Sequence, residues 1–444
     1  MREQQPEFAE SAVTSEGPAA PVTAAERIAS LDVLRGIAIL GILVMNIYAF
    51  AMPFAAYSNP LLMGGTEPLN IGTWFFTHIL CDQKFMSIFA LLFGAGIILM
   101  TGRAAAKGAK PGRIFYRRQF WLVLFGALHA YFIWFGDILF MYALVGMLAY
   151  PFRNRKPWTL IIVACCLLPV AVMFGFGFAT QMQAMKIEVA EIEALLESGE
   201  EASADQQRVL RDWNEQRSLM TPNADDIQKN LDIHLGSYAG ITASRIPEAM
   251  QYQIFGLLFY GLWRVLGLML IGMALMKTGV LGAERSAGFY RSMMVICYSI
   301  GLPLTAYSAL DLQAHDFDAL YAIGAGSPAN YLGSIIVALG HIALVMLLIK
   351  TGFVQGLLRR FAAVGRMALS NYLMHSLILT TVFYGYGLGL YGSIPRFWQM
   401  GFVAAVIGLQ LVLSPWWLAR YEFGPVEWLW RSLTYWSRQP MRRA

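Results

Sequence analysis

The stretch SLDVLRGIAILGILVMNIYAF, residues 30–50, decides the fold class, because it is long and apolar enough to cross a bilayer. A membrane core of about 30 Å needs about 20 apolar residues in a helix. Three polar side chains interrupt this run: Asp32 and Arg35 near its start and Asn46 near its end. Asp32 and Arg35 are three residues apart, so on a helix they can pair. They are explained as a helix start and a snorkelling arginine, whereas Asn46 has no such explanation.

The rest of the chain repeats this apolar pattern. Of its 444 residues 57% are hydrophobic and only 14% are charged, whereas soluble domains carry about 25% charged residues. We therefore expect an all-α fold, a polytopic membrane helix bundle of about ten transmembrane helices, the fourth of them short. The expected spans are 31–52, 74–101, 115–135, 137–152, 157–179, 252–276, 289–310, 330–350, 367–387 and 397–419.

The distribution of lysine and arginine predicts the orientation of this bundle. Cytosolic loops are enriched in these two residues. With ten spans, the side that holds both termini carries 24 of the 33 basic residues. The sequence therefore predicts that both termini are cytosolic.

Composition divides the chain into five regions. Residues 1–26 are rich in Ala, Glu, Pro, Ser and Thr, which predicts a disordered cytosolic N-terminal tail. Residues 27–179 carry membrane helices 1–5, and residues 251–420 carry membrane helices 6–10. Between them, residues 180–250 form an extracytoplasmic acidic helical loop, and residues 421–444 form a basic cytosolic tail.

The acidic loop 180–250 has a helical composition with 13 acidic and 6 basic residues. Helix breaks are expected at Ser198–Gly199 and at Thr221–Pro222. A solvated spacer and a cap over an outer cleft both remain open as explanations of this loop.

Ionisable residues inside the spans are costly and need partners, so they are the candidate functional residues. His78 and Asp82 are four residues apart, and on one helix face the carboxylate could orient the imidazole as a general base. The other explanation is that both are simply solvated at the outer interface. Arg264 lies near the middle of the sixth span, beyond the reach of snorkelling. It requires a bound anion or a counter-charge, with Asp82 and Asp137 as candidate partners.

The remaining candidates are histidines on apolar faces. His129, His341 and His375 each fit an interhelical hydrogen bond or a catalytic role, and Asn371 precedes His375 by one turn. The four cysteines have no metal-ligand spacing, and we expect no metal. We also expect no nucleic-acid partner, because the basic residues flank membrane helices.

Four segments resemble one family. RIASLDVLRGIAILGILVMNI (27–47) resembles the opening helix of the YeiB-like family of bacterial inner-membrane proteins. GRMALSNYLMHSLILTTVFYGYGLGLYG (365–392) and FGPVEWLWRSLTYWSRQPMRR (423–443) look like that family's domain of unknown function, and FGALHAYFIWFGDILFMYALVGMLAYPF (125–152) is similar to its middle. The resemblance implies a multi-pass protein of the bacterial inner membrane.

The opening helix also resembles those of transmembrane acyltransferases, including the heparan-glucosaminide acetyltransferase type and the acyltransferase-3 family. Those families move an acyl group, commonly from acyl-CoA, to a glycan or small acceptor. An Asp, an Arg-Gly pair and a later Asn recur in the heparan-type pattern, and Asp32, Arg35, Gly36 and Asn46 match them here. The catalytic histidine that follows the Asn in that pattern has no counterpart near Tyr57, so another histidine would have to be the base.

The resemblance implies an acyltransferase-like protein that transfers an acyl group from acyl-CoA to an extracytoplasmic or lipid-linked acceptor. The acceptor would be a glycan, a lipid-linked molecule or a small molecule, the bilayer is the surrounding partner, and a homo-oligomer is compatible with the sequence. Transport of a small organic solute, and a non-catalytic envelope scaffold or sensor, remain as alternatives. The expected catalytic residues are His78, Asp82 and Asn46, and the expected substrate-binding residues are Arg35, Asp32, Arg264, His129, Asp137, His375 and Asn371.

Overall fold

The computed structural model describes residues 29–64, 66–106, 108 and 110–443, and the N-terminal tail expected at 1–26 lies outside the described residues. In the described part of the chain the regular structure is helical, apart from one isolated antiparallel bridge between Tyr421 and Arg442. The expected all-α fold is confirmed.

Eighteen α-helices follow one another along the described chain, with a 3-10 turn at Tyr150–Asn154 and a π-helix at Gly256–Val265. They are α1 (Ala29–Ala51), α2 (Ala55–Ser58), α3 (Pro68–Leu80), α4 (Lys84–Ala106), α5 (Pro111–Phe132), α6 (Leu139–Ala149), α7 (Pro157–Glu197), α8 (Ala204–Met220), α9 (Ala224–His234), α10 (Tyr238–Phe255), α11 (Leu266–Lys277), α12 (Ala287–Ala314), α13 (Ala319–Ile323), α14 (Ser327–Thr351), α15 (Gln355–Arg366), α16 (Ala368–Phe383), α17 (Arg396–Leu418) and α18 (Pro425–Tyr435).

The long apolar helices confirm a polytopic membrane bundle. Among the described residues, seven helical segments are long and apolar enough to cross a membrane. The shorter α16 is apolar as well. The expected count of ten crossings remains a prediction. The seven segments are Ala29–Ala51, Pro68–Arg103, Pro157–Glu197, Tyr238–Lys277, Ala287–Ala314, Ser327–Thr351 and Arg396–Leu418.

α5 and α6 form a hairpin whose tip, 133–138, is covered by protein. Trp134 and Phe135 in this tip are buried, and the Tyr238 hydroxyl of α10 donates a hydrogen bond to the Phe132 carbonyl at 2.8 Å. Non-helical backbone at membrane depth is tolerated where protein buries it. The 11 residues of α6 extend only ~16 Å, so the fourth expected span is short, as its sequence predicts.

α1 lies at the centre of the bundle. Its apolar window is 78% buried, against 17% for α7 and 22% for α12, and it packs on α4, α15, α16 and α17. A Cβ at Gly36 would overlap the Phe361 carbonyl oxygen of α15, and a Cβ at Gly365 would overlap the Asp32 carbonyl oxygen. Only small residues allow helices in a membrane to approach so closely. This contact holds the Asp32–Arg35 end of α1 beside α15.

The excursion 180–250, which is predicted to lie outside, is helical and continuous with the membrane helices. α7 ends at Glu197 and α8 ends at Met220, next to the two expected breaks. The domain boundary that we expected between 179 and 180 instead lies inside α7, because no helix-breaking residue interrupts the helix formers that follow. The expected boundary between 250 and 251 lies inside α10, which continues past its internal Pro247 to Phe255.

α9 closes the end of α16 that is predicted to be outside, whereas α8 lies further from α16, and neither α8 nor α9 has a fully buried residue. The His234 ring stacks on Tyr391 with centroids 4.3 Å apart, and the Tyr391 hydroxyl donates a hydrogen bond to Asn230 Oδ1 at 2.8 Å. The Gly385 amide donates to the His234 carbonyl at 2.8 Å. Part of the excursion is therefore a cap, and part of it is a solvated spacer.

Candidate functional site

A cavity of about 270 Å³ opens at the end of the bundle that the charge distribution predicts to be cytosolic. α1, α4, α5, α6, α15, α16 and α18 form its wall. Arginines surround the mouth, namely Arg35, Arg103, Arg118, Arg366 and Arg431. The deeper wall is apolar and aromatic, and includes Ile39, Phe89, Phe93, Leu122, Leu139, Tyr142 and Tyr372.

The two carboxylates in the described part of the cavity wall, Asp32 and Glu427, both accept hydrogen bonds. Asp32 Oδ1 accepts a hydrogen bond from Arg35 Nη1 at 2.8 Å, as the spacing of the two residues predicts. Glu427 Oε1 accepts from the backbone amides of Leu369 at 2.6 Å and Ser370 at 3.0 Å, which begin α16. Burial raises the pKa of Glu427, and its hydrogen bonds oppose that change. Among the described residues, five arginines and two carboxylates line the cavity, and an excess of positive groups in a cleft attracts anions.

A hydrogen-bonded relay of three buried side chains lies behind the deep wall. His129 Nδ1 of α5 is 2.7 Å from Asp137 Oδ2, and His129 Nε2 is 2.8 Å from Ser376 Oγ of α16. Each of the three residues is 1% exposed. The second Asp137 oxygen, Oδ1, accepts from the Phe140 amide at 2.8 Å and so begins α6. This bond fixes the carboxylate with its other oxygen towards His129.

Tyr372 links the relay to the cavity. It lines the cavity and lies one turn before Ser376 on α16. Its ring centroid is 5.2 Å from that of His129, and its hydroxyl accepts a hydrogen bond from the Ile138 amide at 3.2 Å. The Tyr372 side chain therefore contacts both the cavity and the relay.

The expected pair of His78 and Asp82 lies in a second buried cluster. Asp82 Oδ2 is 3.6 Å from His78 Nδ1 and accepts from Asn330 Nδ2 at 2.6 Å. The Tyr57 hydroxyl donates to Asp82 Oδ1 at 3.0 Å, and burial followed by the charge of Asp82 raises the pKa of Tyr57. Lys84, which is fully buried, donates to Asn330 Oδ1 at 2.8 Å. His78 Nε2 has no hydrogen-bond partner among the described residues.

This cluster corrects the expectation of one continuous helix over 74–101. α3 ends at Leu80 and α4 begins at Lys84, with Gln83 in the left-handed region at φ 61°. The Asp82 amide bonds to the Thr77 carbonyl, so the His78 carbonyl loses its helical donor. Lys84 Nζ donates to that carbonyl at 2.6 Å instead. His78 and Asp82 thus meet across a helix end, and a buried lysine satisfies the freed backbone.

Arg264 has neutral partners, which corrects the expected pairing with Asp82 or Asp137. In the described part of the chain it forms no ion pair with either carboxylate. Its guanidinium donates to the Tyr331 carbonyl at 2.9 Å, to Ser334 Oγ at 2.7 Å and to Ser87 Oγ at 3.2 Å. It also lies 4.2 Å from the centroid of the Tyr331 ring. Carbonyl, hydroxyl and π-electron partners therefore replace a counter-ion.

Among the described residues, His375, Asn371 and Asn46 form no hydrogen bond with His129, Asp137 or Ser376. His375 Nε2 donates to Gln410 Oε1 at 2.8 Å, and Asn371 Nδ2 donates to Ser414 Oγ at 3.1 Å, so both tie α16 to α17. His375 thus forms an interhelical hydrogen bond, which was one of the two explanations offered for it, and Asn371 forms another. Asn46 is partly buried, and its side chain makes no hydrogen bond with another described residue.

The candidate residues thus belong to several places. Asp32 and Arg35 lie at the cavity mouth, His129 and Asp137 in the relay, His78 and Asp82 in the cluster at the α3–α4 break, and His375 and Asn371 between α16 and α17. The sequence analysis did not single out Ser376, Tyr372 or Glu427. For Tyr372 and Ser376 a signal existed, because the two polar side chains are four residues apart in one apolar helix. No group of three or more His, Cys, Asp or Glu side chains in the described residues could hold a metal ion.

Comparison with known proteins finds relatives that align with nearly the whole chain. The uncharacterized protein YeiB of Escherichia coli (strain K12) is 33% identical over 423 residues, covering 92% of this chain and 96% of that protein. The uncharacterized protein YxaH of Bacillus subtilis (strain 168) is 31% identical over 439 residues, covering 95% of this chain and 98% of that protein. Residues 275–437 match the family described as protein of unknown function DUF418. No solved structure matches the chain.

Proposed function

The chain belongs to the YeiB-like family, and on that premise we propose that it is an acyltransferase-like protein of the bacterial inner membrane. It takes an acyl group from acyl-CoA and delivers it to an extracytoplasmic or lipid-linked acceptor. The observation that supports this proposal is the cavity, which combines an arginine-rich mouth with an apolar depth. Arg35 at that mouth was a candidate from the sequence, and the other four arginines join it there.

The two ends of the cavity suit the two ends of an acyl-CoA. Guanidinium groups form strong, paired hydrogen bonds with phosphates, so Arg35 and Arg118 would hold the donor's phosphates at the mouth. Phe89, Leu122 and Tyr142 offer apolar surface to the acyl chain, and each buried methylene contributes about 0.8 kcal/mol.

We assign the role of base to His129 rather than to His78, because His129 lies closer to the cavity wall. It packs against the ring of Tyr372, which lines the cavity, whereas His78 belongs to the cluster that satisfies the break between α3 and α4. Asn46 follows the cavity residue Ile39 by seven residues on α1, a rise of ~10 Å. We assign Asn46 to the acceptor side of the reaction.

Isothermal titration calorimetry on the purified full chain tests the proposal. Long-chain acyl-CoA is expected to bind, and Arg35→Gln is expected to weaken binding about tenfold, the effect of one charge-assisted hydrogen bond. Arg359→Gln is the matched control, because Arg359 is exposed on α15 and does not line the cavity. Phosphatidic acid in the same detergent distinguishes an acyl-CoA site from a site for any anionic lipid. Absence of acyl-CoA binding, or equal weakening by both variants, would contradict the proposal.

Transport of a small organic solute is the second candidate, and one observation favours it. The break at 81–83 and the π-helix at Gly256–Val265 interrupt two membrane helices near the buried Lys84 and Arg264. Interrupted helices of this kind form substrate sites in transporters. Flux of a small organic anion into proteoliposomes without acyl-CoA would support transport. A flux equal to that of protein-free liposomes would remove this candidate.

A further inference from the structure

We infer that Ser376 is a nucleophile that carries the acyl group as an ester, with His129 as its base and Asp137 as the positioning residue. The inference rests on the proposed function, since it names the route by which the acyl group leaves the donor. It is carried by the bonds that join Asp137 Oδ2 to His129 Nδ1 at 2.7 Å and His129 Nε2 to Ser376 Oγ at 2.8 Å.

The Asp137 carboxylate decides which histidine nitrogen carries the proton. An ionised carboxylate only accepts hydrogen bonds, so the proton of neutral His129 lies on Nδ1 and points to Asp137. Nε2 is then unprotonated and accepts the hydroxyl proton of Ser376. This is the arrangement in which a histidine activates a serine hydroxyl.

The other deeply placed histidines lack this arrangement. His375 Nε2 faces the amide oxygen of Gln410, and His341 bonds to the Leu80 carbonyl and the Tyr298 hydroxyl. His78 is 3.6 Å from Asp82, and its Nε2 has no partner among the described residues. In the described part of the chain, His129 is the histidine that has a carboxylate on one nitrogen and a serine hydroxyl on the other.

The position of the relay connects it to the cavity through Tyr372. Ser376 follows Tyr372 by four residues on α16, so the two side chains lie on the same face of the helix. The Tyr372 hydroxyl accepts a hydrogen bond from the Ile138 amide at 3.2 Å, the upper end of the usual range, and its contact with the Gly136 carbonyl at 3.4 Å is longer than usual for a hydroxyl donor. Rotation of this one side chain opens a path from the apolar depth of the cavity to Ser376 Oγ.

The chemistry balances with an acyl thioester as donor and a hydroxyl compound as acceptor. Ser376 Oγ bonds to the thioester carbonyl carbon while its proton moves to His129 Nε2. The carbon–sulfur bond breaks, the sulfur takes that proton, and free thiol leaves. The acceptor hydroxyl then gives its proton to Nε2 and its oxygen bonds to the acyl carbon. The bond from the acyl carbon to Oγ breaks, and Oγ takes the proton back.

Labelling with a small fluorophosphonate tests the nucleophile independently of any donor. Full-length protein in detergent is treated with the probe, and the modified peptide is identified by mass spectrometry. Wild type is expected to be labelled at Ser376, Ser376→Ala to lose that label, and His129→Gln, which keeps a hydrogen-bonding side chain, to be labelled at least about 100-fold more slowly. Tyr372→Ala, which removes the ring that packs on His129, is expected to accelerate labelling.

Two residues outside the relay supply controls. Ser308→Ala changes a buried serine and His341→Gln a partly buried histidine elsewhere, and neither is expected to change labelling of Ser376. An unlabelled Ser376 in both wild type and Tyr372→Ala would overturn the inference, as would unchanged labelling in a folded His129→Gln.

Incubation with a long-chain acyl-CoA separates this inference from the proposed function. An acyl group on Ser376 supports both. Binding of acyl-CoA without labelling of Ser376 by either reagent overturns the nucleophile and leaves the donor site intact. Labelling by fluorophosphonate without any binding of acyl-CoA supports the nucleophile and overturns acyl-CoA as the donor.

Discussion

Four buried ionisable side chains of this protein lie where regular helical hydrogen bonding stops or changes. Lys84 bonds to the carbonyl freed at the end of α3, Asp137 to the Phe140 amide at the start of α6, and Glu427 to the first amides of α16. Arg264 belongs to the π-helix and bonds to the Tyr331 carbonyl. Backbone groups inside a membrane need an internal partner, so these side chains complete the backbone as well as forming the candidate sites.

Lys84→Met tests this role at a single residue. The change leaves the His78 carbonyl and Asn330 Oδ1 without their donor and leaves Asp82 without a nearby cation. Because removing one partner of a buried charged group costs about 3–5 kcal/mol, the free energy of unfolding in detergent should fall by about that amount. Lys350→Met, at the exposed end of α14, should change it by less than about 0.5 kcal/mol. Similar losses for the two variants would refute the structural role of Lys84.

Spacing alone predicted the contacts between residues that are near in sequence. The Asp32–Arg35 pair and the approach of Asp82 to His78 follow from separations of three and four residues. The bond between His129 and Ser376 joins residues 247 positions apart, and it depends on how α16 packs on α5. No local pattern encodes that packing, which is why Ser376 was missed and Asp137 was named only as one candidate partner of Arg264.

At the scale of elements, α1 and α15 touch along their backbones at Gly36 and Gly365. Gly36→Ala should therefore destabilise the fold by about 1–3 kcal/mol, because the Phe361 carbonyl that an added Cβ would meet cannot move without its helix. Thermal unfolding in detergent measures the effect. Gly401→Ala is the matched control within α17, where a Cβ meets nothing within 4 Å. Removing a helical glycine there should stabilise by about 0.5–1 kcal/mol, and a destabilisation as large as that of Gly36→Ala would contradict the role of the contact.

The cap formed by α9 should loosen in acid. Burial, and then the charge of Arg245, lowers the pKa of His234 to about 4 although its bond to the Asn230 carbonyl acts in the opposite direction. The folded cap therefore holds His234 neutral. Its contribution to stability is complete above the ordinary pKa of about 6.5 and is lost as the pH falls towards 4.

Thermal unfolding at pH 7.5, 5.5 and 4.5 checks this dependence. Wild type should lose stability across that series, and His234→Phe, which keeps an aromatic ring against Tyr391, should lose less. Equal losses in the two proteins would assign the acid sensitivity to other groups.

The helices themselves were predictable because each is an apolar run of sufficient length. The break at 81–83 was not, because the sequence CDQK contains neither Gly nor Pro. The break exists because Asn330 of α14 holds both Asp82 and Lys84. A partner 246 residues away from Lys84 therefore determines where α4 begins.

For the whole molecule, the cavity is a product of the tertiary fold. The first helices of the chain and its last helix, α18, together form one wall, and the expected cytosolic tail supplies Glu427, Trp430 and Arg431 to it. Trp430 donates to the Arg118 carbonyl at 2.9 Å, and the Arg118 guanidinium lies 4.1 Å from the Trp430 ring centroid. The sequence indicated basic flanks, and only the fold shows that they converge on one mouth.

The central claim is that an acyl donor lies in this cavity with its thioester towards Tyr372 and its acyl chain along the deep wall. Photocrosslinking the full chain with an acyl-CoA that carries a diazirine at the end of its acyl chain tests that claim most directly. The account predicts labels on the deep wall, at Phe89, Leu122, Leu139 or Tyr142, which excess unlabelled acyl-CoA and Arg35→Gln both reduce. Labels confined to the lipid-facing helices α7 and α12, or labels on the deep wall that excess acyl-CoA leaves unchanged, would contradict it.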